Sequence, residues 1–377
     1  MSIKMKICYF ADAGNIHHGR AEGFANRDYE VHLISFKNAE IENVNVHYIG
    51  PFIYIPHFSI LALLILKLRT IKKLIKEINP DIIHGHYLLE HGFYAVISGF
   101  KPMVVSAMGG DIETDIESSK INRLLYKFIF KKADVIHAHN EPAKRRLVEL
   151  GCNEKKIFVQ PWGIDTHRFS PNAKSQVLKE KLGIVDKYSV INARTLNDSY
   201  HVDIFIKAIP QVLKSINNVK FIIGGSGPSE SKLMQLANKL GVSENVVFLG
   251  GTPHEEMSKY LASADIYNDT YFPTTKKAGA GIGTTTMEAM ACGTPQIMAE
   301  RPSIVEQDNF FHGVSYKPDD PKDLAEKIVY LLKNKELRDE IGRKSRKIAL
   351  EIYDGDKNIE KFEQLYENLI NKYKHKK

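Results

Sequence analysis

Short runs of β-branched and apolar residues recur along the whole chain, at residues 6–10, 30–35, 81–84, 103–106, 134–137 and 157–160. They recur again at 188–192, 219–224, 245–249, 265–267, 296–299 and 313–316, with helix-period stretches between several of them. That alternation is the signature of a parallel sheet whose strands are joined by crossover helices. A chain of 377 residues is long for one such domain, and the polar, turn-rich stretch at 161–176 interrupts the pattern near the middle. The fold expected is therefore α/β, with two doubly wound domains at residues 1–165 and 166–354. Ile359, Phe362, Tyr366, Leu369 and Tyr373 stand at helical spacing near the end and mark a last helix.

Composition narrows the function classes. The net charge of +7 is modest and spread over both halves, which fits an anionic ligand or membrane surface and disfavours a nucleic-acid binder. Cys8, Cys152 and Cys292 lie far apart and form no CxxC pair, so neither a disulfide framework nor a thiolate zinc site is expected. The longest apolar run, residues 60–66, is far short of the roughly 20 residues that span a bilayer. No signal-peptide core precedes the first strand. A cytoplasmic protein, with a peripheral place on the inner membrane face as an option, is the expectation.

In parallel sheets ligands bind at the carboxyl ends of strands, so the loops there are where chemistry is sought. The stretch at 273–295, PTTKKAGAGIGTTTMEAMACGTP, reads as a glycine-rich loop running into a helix. Gly281 and Gly283 let the backbone approach a ligand, and Thr284 and Thr285 open a helix whose first N–H groups suit a phosphate. The glycines of IGGSGP at 223–228, with Gly225 central, form a second strand-end turn. Neither is a dinucleotide fingerprint, because Glu230 and Thr286 occupy the third glycine positions. His84 with His86, and His137 with His139, alternate on strand-like runs; metal ligation is the minor reading, and no metal is expected.

The run EAMACGTP at 288–295 resembles the signature of the family-4 (group 1) retaining glycosyltransferases of the GT-B fold. PWGIDTHRF at 161–169 is similar to that family's interdomain motif. The resemblance implies two Rossmann-like domains facing each other across a cleft, an acceptor-side domain at 1–165 and a nucleotide-sugar-binding domain at 166–354, with helix 355–377 packing back on the first. It implies that Glu288 accepts hydrogen bonds from ribose hydroxyls, against the plain alternative of an exposed helix carboxylate. Arg194, ending INAR at 191–194, would grip the donor diphosphate, with a structural salt bridge as the alternative. Gly14 in the loop at 11–19 would lie near phosphate, and Thr252 in FLGGT at 248–252 near the base. His17 and His18 share the Gly14 loop and face either acceptor or solvent.

The chain departs from the family pattern in three regions. Ala280 stands where the first of two carboxylates is usual, Met108 where a histidine commonly meets the donor sugar, and Ser199 and Tyr200 where a lysine usually follows Arg194. Asp111 and His86 are the candidates for the sugar-side catalytic group. The function implied is transfer of a sugar from a nucleotide-diphosphate donor to a hydroxyl on a glycan or lipid-linked acceptor, with retention and without a cofactor. The alternatives are a nucleotide-sugar 2-epimerase of the same fold and a non-catalytic nucleotide-sugar-binding protein. Residues 67–78 and 120–132 interleave cations with apolar residues and would be either solvated faces over packed stripes or a contact with an anionic membrane.

Overall fold

The computed structural model describes residues 5–13, 19–50, 59–113, 119–161, 163–272, 281–301 and 312–375. Gly14, His17, His18, Trp162 and Ala280 fall outside them. The chain divides into two compact units: residues 1–162, 277–281 and 355–377, and residues 163–276 and 282–354.

The first unit is built on seven strands: β1 (Lys6–Phe10), β2 (Glu30–Ser35), β3 (Asn45–Tyr48), β4 (Ile82–His86), β5 (Met103–Ser106), β6 (Val135–Ala138) and β7 (Ile157–Val159). They form one parallel sheet in the order β3-β2-β1-β4-β5-β6-β7. Strand β3 carries too few apolar residues for its sequence to announce it. It lies at the sheet edge, half exposed, where pairing with β2 rather than burial holds it. The main helices are α1 (Gly19–Ala25), α2 (Ser59–Ile78), α3 (Gly92–Ser98), α4 (Lys120–Lys132) and α5 (Glu141–Glu149).

Alternation along β1 divides its side chains between two cores. Cys8 and Phe10 join Ile71 and Ile75 of α2 and Tyr126, Ile129 and Phe130 of α4. Ile7 and Tyr9 face the other way, to a core shared with the last helix of the chain.

The second unit repeats the plan with β8 (Tyr188–Ala193), β9 (Val219–Gly224), β10 (Val246–Gly250), β11 (Ile266–Asp269), β12 (Gln296–Ala299) and β13 (Val314–Tyr316). The sheet is again parallel, ordered β10-β9-β8-β11-β12-β13. Its main helices are α6 (Val202–Ser215), α7 (Glu230–Lys239), α8 (His254–Ser263), α9 (Thr284–Ala291), α10 (Pro321–Lys333) and α11 (Lys335–Ile352). Val190 and Phe221 pack against α6 and α10, while Ile191, Ile222 and Tyr267 pack against α9 and α11. Both sheets are covered on both faces, as parallel sheets require.

Helix α12 (Gly355–Lys374) belongs to the first unit, where Phe362, Tyr366, Leu369 and Ile370 are buried beside β1 and α1. Arg27, just past α1, holds it electrostatically through Asp356 and Glu363 at 3.0 and 3.2 Å.

Candidate functional site

In each sheet the strand order reverses direction once, between β1 and β4 in the first and between β8 and β11 in the second. Such switch points leave a crevice at the carboxyl ends of the two strands, because the following connections leave in opposite directions. Arg194 follows β8 and Asp269 ends β11, so both stand at the switch point of the second unit.

The Arg194 Nη2 donates to Oδ1 of Asp269 at 2.7 Å. The same oxygen accepts the backbone N–H of Tyr271 at 3.0 Å. On the other oxygen, Thr286 Oγ1 donates at 3.0 Å and Arg301 Nη2 lies 3.4 Å away. Asp269 is fully buried and Arg301 nearly so. Burial works against the Asp269 carboxylate, but the two guanidinium groups and these donors hold its pKa below the usual range. Burial also opposes the Arg194 charge, but Asp269, with Tyr267 and Tyr200, more than offsets it, so its pKa is raised.

Aromatic rings complete the cluster. Tyr200 lies 4.9 Å under the Arg194 guanidinium, and Tyr271 is within 5.4 Å of Arg301. Tyr200 thus supports the cation with its ring face, where a lysine would have added a second charge.

Gly283 caps α9 and Thr284 and Thr285 form its first turn. A Cβ at Gly283 would stand 2.8 Å from Arg194 Nη1, so with a side chain there the guanidinium would have to move from the helix start. The first N–H groups of a helix lack intrahelical partners, so Gly283, Thr284 and Thr285 add donors beside Arg194. Gly225 adopts φ +113° after β9, and a side chain there would collide with the Arg194 carbonyl. Its glycine serves the close approach of β9 to β8. Thr252 lies half-buried beyond β10. Gly281 groups with the first unit rather than with Gly283.

Glu288 is buried in α9, and its Oε1 accepts from Nε2 of His254 at 2.6 Å. His254 in turn packs on Phe169, ring centroids 5.3 Å apart. Burial raises the Glu288 pKa against the opposing pull of His254.

Sequence reasoning had not singled out Asp269, Arg301 or His254. The strand read at 265–267 stopped short of Asp269 because Asn268 and Asp269 are polar; an acid at the end of the strand beside that of Arg194 was the available signal.

The remaining candidates lie in the first unit. Asp111 is buried, and its oxygens accept the backbone N–H groups of Leu88 and Met108 at 3.0 and 2.9 Å. It therefore shapes the loop after β5. His86 is buried at the end of β4, against the rings of Tyr9 and His84.

His84 of β4 and His137 of β6 are joined through Ser106 of β5, whose Oγ is 2.6 Å from His84 Nε2 and 2.9 Å from His137 Nδ1. His137 Nε2 meets the Gln160 carbonyl at 2.7 Å, and His84 Nδ1 meets the Tyr366 hydroxyl at 2.5 Å. A carbonyl only accepts, so with neutral rings every proton in the chain is placed: Tyr366 donates to His84, His84 to Ser106, Ser106 to His137, and His137 to Gln160. Through His84 Nδ1 this chain of bonds ties the last helix to the sheet.

Two family models match, Glycosyl transferases group 1 at residues 174–348 and Glycosyl transferase 4-like at residues 6–140. The chain thus carries a glycosyl transferase 4-like domain and a group 1 glycosyltransferase domain, which together span most of its length. This glycosyltransferase is 24% identical over 98% of both chains to the N-acetyl-alpha-D-glucosaminyl L-malate synthase of Bacillus anthracis. It is 33% identical, over 57% of each chain, to a GDP-mannose-dependent monoacylated alpha-(1-6)-phosphatidylinositol monomannoside mannosyltransferase of Corynebacterium glutamicum. In fold it is similar to Anabaena HepE, solved in complex with UDP, with a TM-score of 0.80 at 19% identity over 97% of this chain and 100% of that one. WaaG, a glycosyltransferase involved in lipopolysaccharide biosynthesis, gives 0.71 at 15% identity over 96% and 99%. The two units are thus the paired Rossmann-like domains of a GT-B glycosyltransferase.

Proposed function

We propose that this glycosyltransferase moves a sugar from a nucleotide-diphosphate donor to a hydroxyl on a glycan or lipid-linked acceptor, with retention at the anomeric carbon. The observation that carries the reading is the Arg194 site: a guanidinium at the switch point, beside the first N–H groups of α9, in a cluster with more cations than anions. Departure of the nucleoside diphosphate builds negative charge, and preorganised donors at that position lower the barrier. Glu288 would accept from the ribose hydroxyls in the same unit. Support for a nucleotide-sugar donor also comes from relatives, one named GDP-mannose-dependent and one solved with UDP. Retention rests on the motif resemblance, and in that mechanism the leaving phosphate oxygen takes the acceptor proton, so no side-chain nucleophile is required. Gly14 near the phosphates, Thr252 near the base, and Asp111 and His86 on the sugar side remain parts of the proposal.

The acceptor is proposed to be reached at an anionic membrane, through the exposed apolar residues Ile121, Leu124 and Phe128 of α4 and the cations beside them. Labelled UDP-, GDP- and ADP-sugars incubated with and without lipid and glycan fractions test the reaction. Label in an acceptor supports transfer; an isomerised donor with no acceptor labelled indicates the epimerase instead, and binding without turnover the non-catalytic protein. Arg194→Ala should lower turnover by roughly 100-fold or more, and a near wild-type rate would refute its role.

A further inference from the structure

Arg194 reaches the ligand side of its crevice already paired with a carboxylate. An ion pair alone would leave that site neutral, since the Asp269 charge cancels the Arg194 charge at 2.7 Å. Arg301 changes the count: two guanidinium groups share one carboxylate, leaving one net positive charge in a buried cluster. Arg301 itself is held away from solvent, its Nη1 donating to the Tyr271 carbonyl at 2.8 Å and its plane over the Tyr271 ring. Among the described residues, the Nε atoms of both arginines are buried without a hydrogen-bond partner. A surplus charge with unmet donors in a desolvated site carries a cost that a bound anion would relieve.

We propose that Asp269 and Arg301 are positioning residues for the donor diphosphate: Asp269 fixes the Arg194 fork, and Arg301 cancels the Asp269 charge so that Arg194 presents its own to the ligand. The proposal rests on the reading that Arg194 meets the diphosphate, and it adds that the affinity of the site is set by a residue the ligand never touches.

Charge counting gives a test that a merely structural role fails. Arg301→Met brings the cluster to neutrality, whereas the double variant Asp269→Asn with Arg301→Met restores one net positive charge through Arg194 alone. UDP, GDP and inorganic pyrophosphate binding are measured by calorimetry on the full chain. Arg301→Met should weaken binding by roughly tenfold or more, and the double variant should recover to within about threefold of wild type. Arg301→Lys, which keeps the charge and loses the planar fork, should stay close to wild type. It carries the test if Arg301→Met does not accumulate folded: a folded Arg301→Lys protein that loses pyrophosphate binding would show that shape and not charge matters, and overturn the proposal.

Unchanged binding in Arg301→Met, or a double variant as weak as Arg301→Met, would also overturn it. Arg194→Ala in the same series separates the two claims. If it loses binding while Arg301→Met keeps it, only the present proposal fails; if it binds as wild type, the diphosphate reading fails and takes the proposal with it.

Discussion

Glu288 and His254 form a pair of unequal exposure: the carboxylate is buried, and the imidazole side chain is 55% exposed. Hydrogen bonding to Glu288 raises the His254 pKa above its ordinary value; burial and Arg168 oppose the shift and Glu255 adds to it. A group whose pKa is raised by folding contributes fully below its unfolded value, and the contribution fades as pH rises through the folded value. Raised by burial, Glu288 shifts stability in the same direction, because ionising it in the folded state is disfavoured. The melting temperature should therefore fall between about pH 6 and about pH 8, with a shallower fall in His254→Gln. Equal slopes for the two proteins would show that the pair does not titrate in this range. Glu288 and Arg194 were singled out because each sits in a local motif, EAMACGTP or INAR, that can be read without knowing its distant partners. His254 was not, since 34 positions separate it from its partner, and Arg301 reaches Asp269 across 32. A polar group satisfied at that range leaves no local trace.

At the scale of elements, the two basic amphipathic stretches turn out to be different objects. In α2 the apolar positions Ile71, Ile75 and Ile78 are buried in the core, so the cations of 67–78 are the solvated face of a packed helix. In α4 only Tyr126, Ile129 and Phe130 turn inward, and Ile121, Leu124 and Phe128 remain exposed at 68%, 68% and 38%. The helix also carries five cations and no acid. An exposed apolar stripe edged by cations suits an anionic bilayer surface. Sedimentation with phosphatidylglycerol vesicles at low salt should therefore remove the wild type from solution, and Leu124→Glu with Phe128→Glu should leave it there. Failure of the wild type to sediment would sink this docking mode. Periodicity had shown that both stretches are helical and amphipathic, but which stripe faces the core depends on tertiary packing that periodicity does not encode. Edge strand β3 was missed for a related reason: its support is backbone pairing, which any sequence of suitable conformation can supply.

For the molecule as a whole, the two units are unequal in how they are assembled from the chain. The second has one segment, 282–354, returning to the sheet begun at 163–276, whereas the first is completed by α12. Truncation before Gly355 would strip the first unit of Phe362, Tyr366, Leu369 and Ile370 and cut the proton-ordered chain at His84. Losing one buried phenylalanine alone costs about 3–5 kcal/mol, so the truncated first unit should lose hydrogen-exchange protection in β1 and β4. The second unit, with cores of its own, should keep protection in β8 and β9. Uniform loss across both sheets would show that their stabilities are not separable.

The contact between the hydroxyls of Tyr9 and Tyr366 spans 357 positions. During synthesis the strands of the first sheet emerge before α12, so the core that Phe362, Tyr366, Leu369 and Ile370 share with β1 and α1 stays incomplete until that helix has been made. Closing so long a loop is slow, and an uncovered apolar face invites misassociation in the meantime. The unit whose strands are made first is thus completed after the unit that follows it in the chain.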